Sequence, residues 1–174
     1  MISAIVAADD NWGIGRANKL LAHIPEDMKF FKNKTMNSVV IMGRKTYESL
    51  PKRPLPNRYN IVITSNINDG NVLEIKEDGV VYVDMKTLKS MLPHLSKFPF
   101  DIYVIGGGMV YKELLPYCEQ VYITNIYKIY DDADTFFPNI DEMPEWDIEW
   151  TSEIKEYNDI NYQFCMYKKK EVIL

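Results

Sequence analysis

The sequence predicts an α/β fold: one mixed, mostly parallel central sheet, flanked by helices and finished by antiparallel strands at its C-terminal edge. Three observations carry this. Short β-rich runs alternate with helical patterns as far as Cys118, the order of a parallel sheet with crossover helices. Several of these runs are apolar at nearly every position, as strands buried on both faces are. Beyond Cys118 the alternation stops, and the last two strand patterns have no helix between them, which points to antiparallel pairing.

The first expected strand is residues 2–8. Pro25 opens a helix in the one turn that tolerates proline, Glu26 and Asp27 set acids at its positive end, and Met28, Phe30 and Phe31 supply a core stripe. A strand at 38–42 runs into a helix at 44–50, and the proline-dense stretch 51–57 reads as a rigid surface loop. Strands at 59–64 and 80–83 follow, then a helix at 85–92 with Asp84 in the N-cap position. A strand at 102–105 passes through three glycines into a helix at 109–115. Strands at 121–126, 146–152 and 162–168 complete the sheet.

Neither a repeat nor a linker interrupts the 174 residues, so one domain, residues 1–174, is expected. A chain of this size buries roughly 70 % of its unfolded surface, enough to fold without disulfides or metal. The two cysteines form no C-x-x-C pair and there are two histidines, so no metal site is expected. Twenty Lys+Arg against 25 Asp+Glu give a net charge of −5, the wrong sign for neutralising duplex phosphates, and nucleic acid is not an expected partner. The first residues lack a basic leader and reach Asp9 and Asp10 early, which fits neither a signal peptide nor a membrane span. A cytoplasmic monomer is expected.

Two turns are marked by glycine where ligands bind α/β sheets, beyond the carboxyl ends of strands. In Val40-Ile41-Met42-Gly43-Arg44-Lys45-Thr46 a strand enters a helix that offers amides, two cations and a hydroxyl. In Val104-Ile105-Gly106-Gly107-Gly108-Met109-Val110-Tyr111 three glycines let backbone approach a ligand. Neither turn, nor Gly13-Ile14-Gly15 with Asn18 in place of a third glycine, fits a standard phosphate fingerprint, and glycine serves plain turns as well. Together they suggest a phosphate-bearing cofactor bridging both. Asp27 shares a helical face with Phe31; it either complements the helix dipole or is a buried acid holding a cationic or amidine-like edge. By residue type Lys32 and Arg58 read as solvated charges, Tyr111 as core and His23 as structural. Ser49 and Cys118 lack the context of a nucleophile, which argues against acyl transfer.

On these residues the chain resembles the dihydrofolate reductases of the bacterial type, from Ile2 to about Lys168. The matching blocks are Ile14-Gly15 with Asn18, Ile24-Pro25-Glu26-Asp27-Met28-Lys29-Phe30-Phe31-Lys32, the run from Val40 to Leu50, Arg53-Pro54-Leu55-Pro56-Asn57-Arg58, Val104-Ile105-Gly106-Gly107-Gly108, and Ala133-Asp134-Thr135-Phe136-Phe137-Pro138. The resemblance implies the dihydrofolate reductase fold and NADPH-dependent reduction of 7,8-dihydrofolate to 5,6,7,8-tetrahydrofolate. Hydride passes to C6 and a proton to N5, in the service of one-carbon and thymidylate metabolism, with antifolates as inhibitors.

Residue by residue, the resemblance implies Asp27 as the catalytic acid, bound to the 2-amino and N3 edge of the pterin and supported by Thr124, with N5 protonated through water. Ile5, Val6, Met28, Phe31, Leu50, Ile105 and Tyr111 would surround the substrate, and Arg58, assisted by Lys32, would pair with the glutamate α-carboxylate. Arg44, Thr64 and Ser65 would meet the adenosine 2′-phosphate of NADPH, Thr46 and the turn Gly107, Gly108, Met109, Val110 the pyrophosphate, and Ala7, Ile14 and Tyr111 the nicotinamide. Leu20, Gly43, Lys45, Ile105 and Gly106 complete the cofactor contacts, and the Gly106–Gly107 peptide is expected to be cis. The chain departs from the family in its lid, where Leu20-Leu21-Ala22-His23 lacks the usual proline and tryptophan. Two other readings remain: the pyrimidine reductase of riboflavin synthesis, against which Asp27, Lys32 and Arg58 argue together, and a non-catalytic NADPH- or folate-binding protein, which rests on Ala22 alone.

Overall fold

The fold is that of a computed structural model, which describes residues 1–67, 73–76, 78–171 and 173; of the expected domain 1–174 the remaining positions lie outside the described residues. The strands are β1 (Ile2–Asp9), β2 (Gly13–Gly15), β3 (Val39–Gly43), β4 (Tyr59–Ile63), β5 (Leu73–Ile75), β6 (Val81–Val83), β7 (Ile102–Gly106), β8 (Gln120–Ile126), β9 (Thr135–Phe136), β10 (Trp146–Thr151), β11 (Lys155–Tyr157) and β12 (Ile160–Lys169). The helices are α1 (Pro25–Thr35), α2 (Arg44–Ser49), α3 (Met85–Leu95) and α4 (Gly108–Leu114).

The main sheet runs β10-β12-β8-β1-β7-β3-β4-β6-β5, with β11 paired to β12. From β8 through β6 every pairing is parallel. The C-terminal strand β12 lies antiparallel to β8, β10 and β11, as the sequence implies. The opposite edge is also antiparallel, through β5 on β6, which the sequence did not suggest. In the central strands successive side chains enter opposite layers. Ala4, Ile41 and Val104 face α3 and α4, where Leu88, Leu92, Val110 and Leu114 lie, while Ile5, Val40, Met42 and Tyr103 face Phe31 and Tyr47 on α1 and α2. Apolar residues at consecutive positions are therefore the signature of a sheet covered on both sides.

Several expected boundaries move. Asp84 caps α3, its Oδ1 accepting from the Thr87 amide at 2.6 Å, but the helix continues past Pro93 to Leu95. Leu88, Leu92 and Leu95 form one stripe against the core, and that packing carries the helix through a proline. On α1, Met28 is 38 % exposed and drops out of the expected core stripe. Phe30 instead stacks on Phe164 at 4.4 Å between ring centroids. The short strands β2 and β9 pair with one another outside the main sheet. Among the described residues no helix is long and apolar enough to cross a membrane.

Candidate active site

In parallel register β1 and β8 set Ala7 opposite Thr124. The first turn of α1 crosses above, and Asp27 Oδ1 accepts a hydrogen bond from Thr124 Oγ1 at 2.6 Å. The acid thus reaches a side chain 97 positions away and is half-buried beside a hydroxyl that is 2 % exposed. Desolvation raises the pKa of Asp27 above the ordinary carboxylate value, and the Thr124 hydrogen bond offsets part of that rise. Of the two readings of Asp27, the geometry favours the buried acid. Beside it Tyr111, 4 % exposed, donates its hydroxyl to the Ile5 carbonyl at 2.7 Å. Burial pushes that phenol far up, so it stays a neutral donor.

At the far end of α1, Thr35 is fully buried; its Oγ1 donates to the Phe31 carbonyl at 2.9 Å and accepts from Arg58 Nη1 at 3.1 Å. Arg58 Nε donates to the Pro56 carbonyl at 2.9 Å. Partial burial lowers the pKa of this guanidinium, and among the described residues it pairs with no carboxylate. Between these ends Phe31, Leu50 and Ile105 are partly buried against the layer of Ile5, Val40 and Met42. Lys32 is exposed on the same helix.

The two glycine turns adjoin. A Cβ built on Gly43 would stand 3.9 Å from the Gly107 nitrogen and 4.0 Å from the Gly106 carbonyl oxygen, and one on Gly107 would stand 3.3 Å from Thr46 Oγ1. Neither α2 nor α4 has its first turn capped by a side chain, so their leading amides are available to an anion. Gly106 has φ +129°, in the region that favours glycine, and the Gly106–Gly107 peptide is cis. At Gly108 the fold itself needs glycine, because a Cβ there would come within 2.7 Å of Thr135 Cγ2.

The other residues expected at the site are spread over both layers of the sheet and the surface. Val6, Ile14 and Val110 turn their side chains into the α3 and α4 layer, away from Asp27, since alternation along β1 sends Val6 opposite to Ile5. Ala7 packs on the Asp27 side, with Ile126 and Phe164. Arg44 makes an ion pair with Glu48 at 2.9 Å, so its cation already has a partner one turn along the helix. Thr64 is buried and accepts from the Asn66 amide, while Lys45 and Ser65 are exposed nearby in sequence. Leu20 and Met109 are 55 % and 76 % exposed. A cleft of about 790 Å³ lies beyond α4, lined by Met109, Phe136, Met143 and Trp146 among others; Asp27, Thr124 and Arg58 do not border it. Among the described residues no cluster of three His, Cys, Asp or Glu could hold a metal.

The lid departs from α1 through Leu21, which is buried, and Ala22, which packs against Ile24, Ile126, Tyr162 and Phe164. Its base is fastened by groups the sequence did not single out. Asp134 Oδ2 accepts from the Ala17 amide at 2.8 Å while its own amide donates to the Gly15 carbonyl. Buried Asp9 accepts from the amides of Asn11, Gly13 and Tyr130, joining the two loops that flank the lid. The aspartate-rich turn before Gly13 carried a sign of this, since Asp readily bonds amides a few residues ahead. Thr35, inside a helix, carried none.

Comparisons with known proteins bear on the family and the fold. A sequence model described as dihydrofolate reductase matches residues 1–169. The dihydrofolate reductase of Bacillus subtilis is 40 % identical over 172 residues, covering 98 % of this chain and 95 % of that one. That of Buchnera aphidicola from Acyrthosiphon pisum is 38 % identical over 165 residues, covering 94 % and 96 %. A solved structure of dihydrofolate reductase from Enterococcus faecalis, complexed with NADP(H) and RAB-propyl, superposes with a TM-score of 0.83 at 33 % identity, covering 98 % and 97 %. A match that spans the acid on α1, both glycine turns and the antiparallel C-terminal strands leaves one assignment: the chain belongs to the dihydrofolate reductase family.

Proposed function

We infer that this chain is an NADPH-dependent oxidoreductase that reduces 7,8-dihydrofolate to 5,6,7,8-tetrahydrofolate, acting as a single cytoplasmic domain and a monomer. The observation that carries the reading is the pair of polar clamps on α1. Asp27 and Thr124 stand at its start, Thr35 and Arg58 at its end. The eight helical steps from Asp27 to Thr35 span about 12 Å. That spacing suits a ligand with a hydrogen-bonding heterocycle at one end, an apolar middle and a carboxylate at the other.

In this reading Asp27 accepts from the 2-amino and N3 edge of the pterin, and Thr124 keeps the carboxylate turned toward it. An acid committed to that edge does not reach N5, so the N5 proton arrives through water. Phe31, Leu50 and Ile105 hold the rings, and Arg58, with two of its five N–H donors committed, offers the rest to the tail carboxylate. The adjoining turns at Gly43 and Gly106–Gly107, with Thr46 between, fit the pyrophosphate of NADPH. The 2′-phosphate would compete with Glu48 for Arg44. When bound, NADPH supplies the hydride. Loss of the near-ultraviolet nicotinamide absorbance when NADPH and dihydrofolate are added together, and with neither alone, tests the reading; no loss with both present would refute it.

A further inference from the structure

Glu26, next to the acid, was expected only to favour the start of α1. In the fold its carboxylate is held from two sides: Tyr162 donates its hydroxyl to Oε2 at 2.6 Å, and Lys155 Nζ lies 3.0 Å from Oε1. Lys155 also pairs with Glu153 at 3.0 Å. Tyr162 is 2 % exposed and sits on β12, and Lys155 sits on β11, the strand paired to it. One turn along α1, Phe30 stacks on Phe164, two positions from Tyr162 on the same face of β12. Glu26 and Phe30 therefore form a stripe docked on Tyr162 and Phe164. Phe164 and Tyr162 stand in register with Thr124 and Ile126 of β8, so β12 and β8 present their holds for residues 26 and 27 side by side.

Successive residues of an α-helix point about 100° apart around its axis. A helix free to roll would carry the Asp27 carboxylate off Thr124. The N-cap, Ile24, makes no side-chain hydrogen bond to stop it. We propose that Tyr162 and Lys155 are positioning residues for Asp27, which by gripping Glu26 lock the rotation of α1 and so fix the acid at the substrate edge. This rests on the reading of Asp27 as the acid of the reaction. The groups facing Asp27 are Thr124 from β8, Tyr111 from α4 and Tyr162 from β12, while its chain neighbour Glu26 points to Tyr162 and Lys155. The two phenols stay neutral, Tyr162 being pushed up to about 12 by burial and by Glu26. Glu26 is kept below the usual carboxylate range by the Tyr162 hydroxyl and by Lys155. The grip therefore persists at neutral pH.

The test compares single-turnover hydride transfer across pH in Tyr162→Phe, Glu26→Gln and Lys155→Met, together with NADPH affinity and thermal midpoint. Loosening the first turn should slow transfer at neutral pH by roughly tenfold in Tyr162→Phe, since small misplacements of a reacting group are costly, and less in Lys155→Met. It should also admit water to Asp27, relieve its desolvation and move the midpoint of the pH profile down, with NADPH affinity unchanged. A folded Tyr162→Phe with the wild-type rate and midpoint overturns the proposal, as does a slower rate with no movement of the midpoint. If Tyr162→Phe does not fold, Glu26→Gln and Lys155→Met, at an exposed and a half-buried position, carry the same test. Asp27→Asn separates the claims. If it transfers hydride normally, the reading of Asp27 fails; if it collapses while Tyr162→Phe behaves as wild type, the rotational lock alone fails.

Discussion

Asp27 feels two opposed influences, and their balance defines its chemistry. Burial favours the neutral form, the Thr124 hydroxyl favours the anion, and burial is the larger. A neutral asparagine can keep the hydrogen bond to Thr124 but can neither take nor give a proton. Asp27→Asn should thus bind NADPH normally and transfer hydride roughly 10²–10⁴-fold more slowly, the usual contribution of acid–base assistance. In the wild type the rate should fall as pH rises through a midpoint above the ordinary Asp value, because the protonated pocket is the competent one. Stopped-flow traces of nicotinamide absorbance read both quantities. Arg58 is the complementary case, a cation whose fixed partners are a hydroxyl and a carbonyl. Arg58→Ala should weaken dihydrofolate by about 1.5–3 kcal/mol, the worth of a charged hydrogen bond, and leave a pterin without the glutamate tail untouched. Equal loss for both ligands, measured by fluorescence titration, would make Arg58 a structural residue.

At the scale of elements, α4 and β9 meet where no side chain fits. Gly108→Ala should force a Cβ to 2.7 Å from Thr135 Cγ2, displacing either the Gly106–Gly108 turn or the strand next to Asp134. NADPH affinity should drop, and Thr135→Ser, which removes that methyl but keeps the hydroxyl donated to Asp134, should restore much of it. An unrescued double variant would locate the strain elsewhere. The lid gives a second case. Ala22→Trp brings a large ring against Ile126, Tyr162 and Phe164, so it should alter product release or proton delivery more than NADPH affinity. A change confined to NADPH binding, set against pre-steady-state transfer and release rates, would place residue 22 with the cofactor. These elements also show what the chain discloses on reading. The parallel strands were legible because covering both faces leaves an apolar run that nothing else needs. The strands β2, β9 and β11 were not, since two or three residues carry no period. The helix expected at 85–92 runs on to Leu95, because packing of Leu95 on the core is not visible in local propensity. By pattern alone Asp27 stood between a dipole partner and a buried acid, and Arg58 was a surface charge; the family's motifs singled them out. The glycines announced a tight turn but not that one of them accommodates Thr135, and the Glu48 partner of Arg44 was visible only as a helical spacing.

Across the whole molecule, the site is assembled from distant parts of the chain, and its strain is felt by the entire fold. Thr124, Tyr111 and Tyr162 all come from beyond residue 100 to surround an acid on the first helix. Holding Asp27 where its pKa is raised means that the native state binds its proton more tightly than the unfolded chain does, whose Asp titrates near ~3.9. The stabilisation linked to that proton is present below the unfolded value and is lost as pH rises through the raised one. Above the raised value the ionised, half-buried carboxylate is therefore a net cost to the ligand-free fold. Glu26, whose pKa is lowered by Tyr162 and Lys155, acts with the opposite sign, and its contribution fades as pH falls. Asp27→Asn, which cannot ionise, should thus unfold at a higher temperature than the wild type at neutral pH. The difference should shrink as pH drops through the raised value and vanish below the unfolded one. A saturating pterin, by pairing with the carboxylate, should raise the wild-type midpoint more than that of the variant, because binding adds its own stabilisation and removes the cost as well. Calorimetric midpoints of both proteins from acid to neutral pH, with and without pterin, decide the matter. An asparagine variant less stable than the wild type at neutral pH would mean that Asp27 supports the fold as an anion, and that its position above Thr124 is a structural bond rather than strain kept for the substrate.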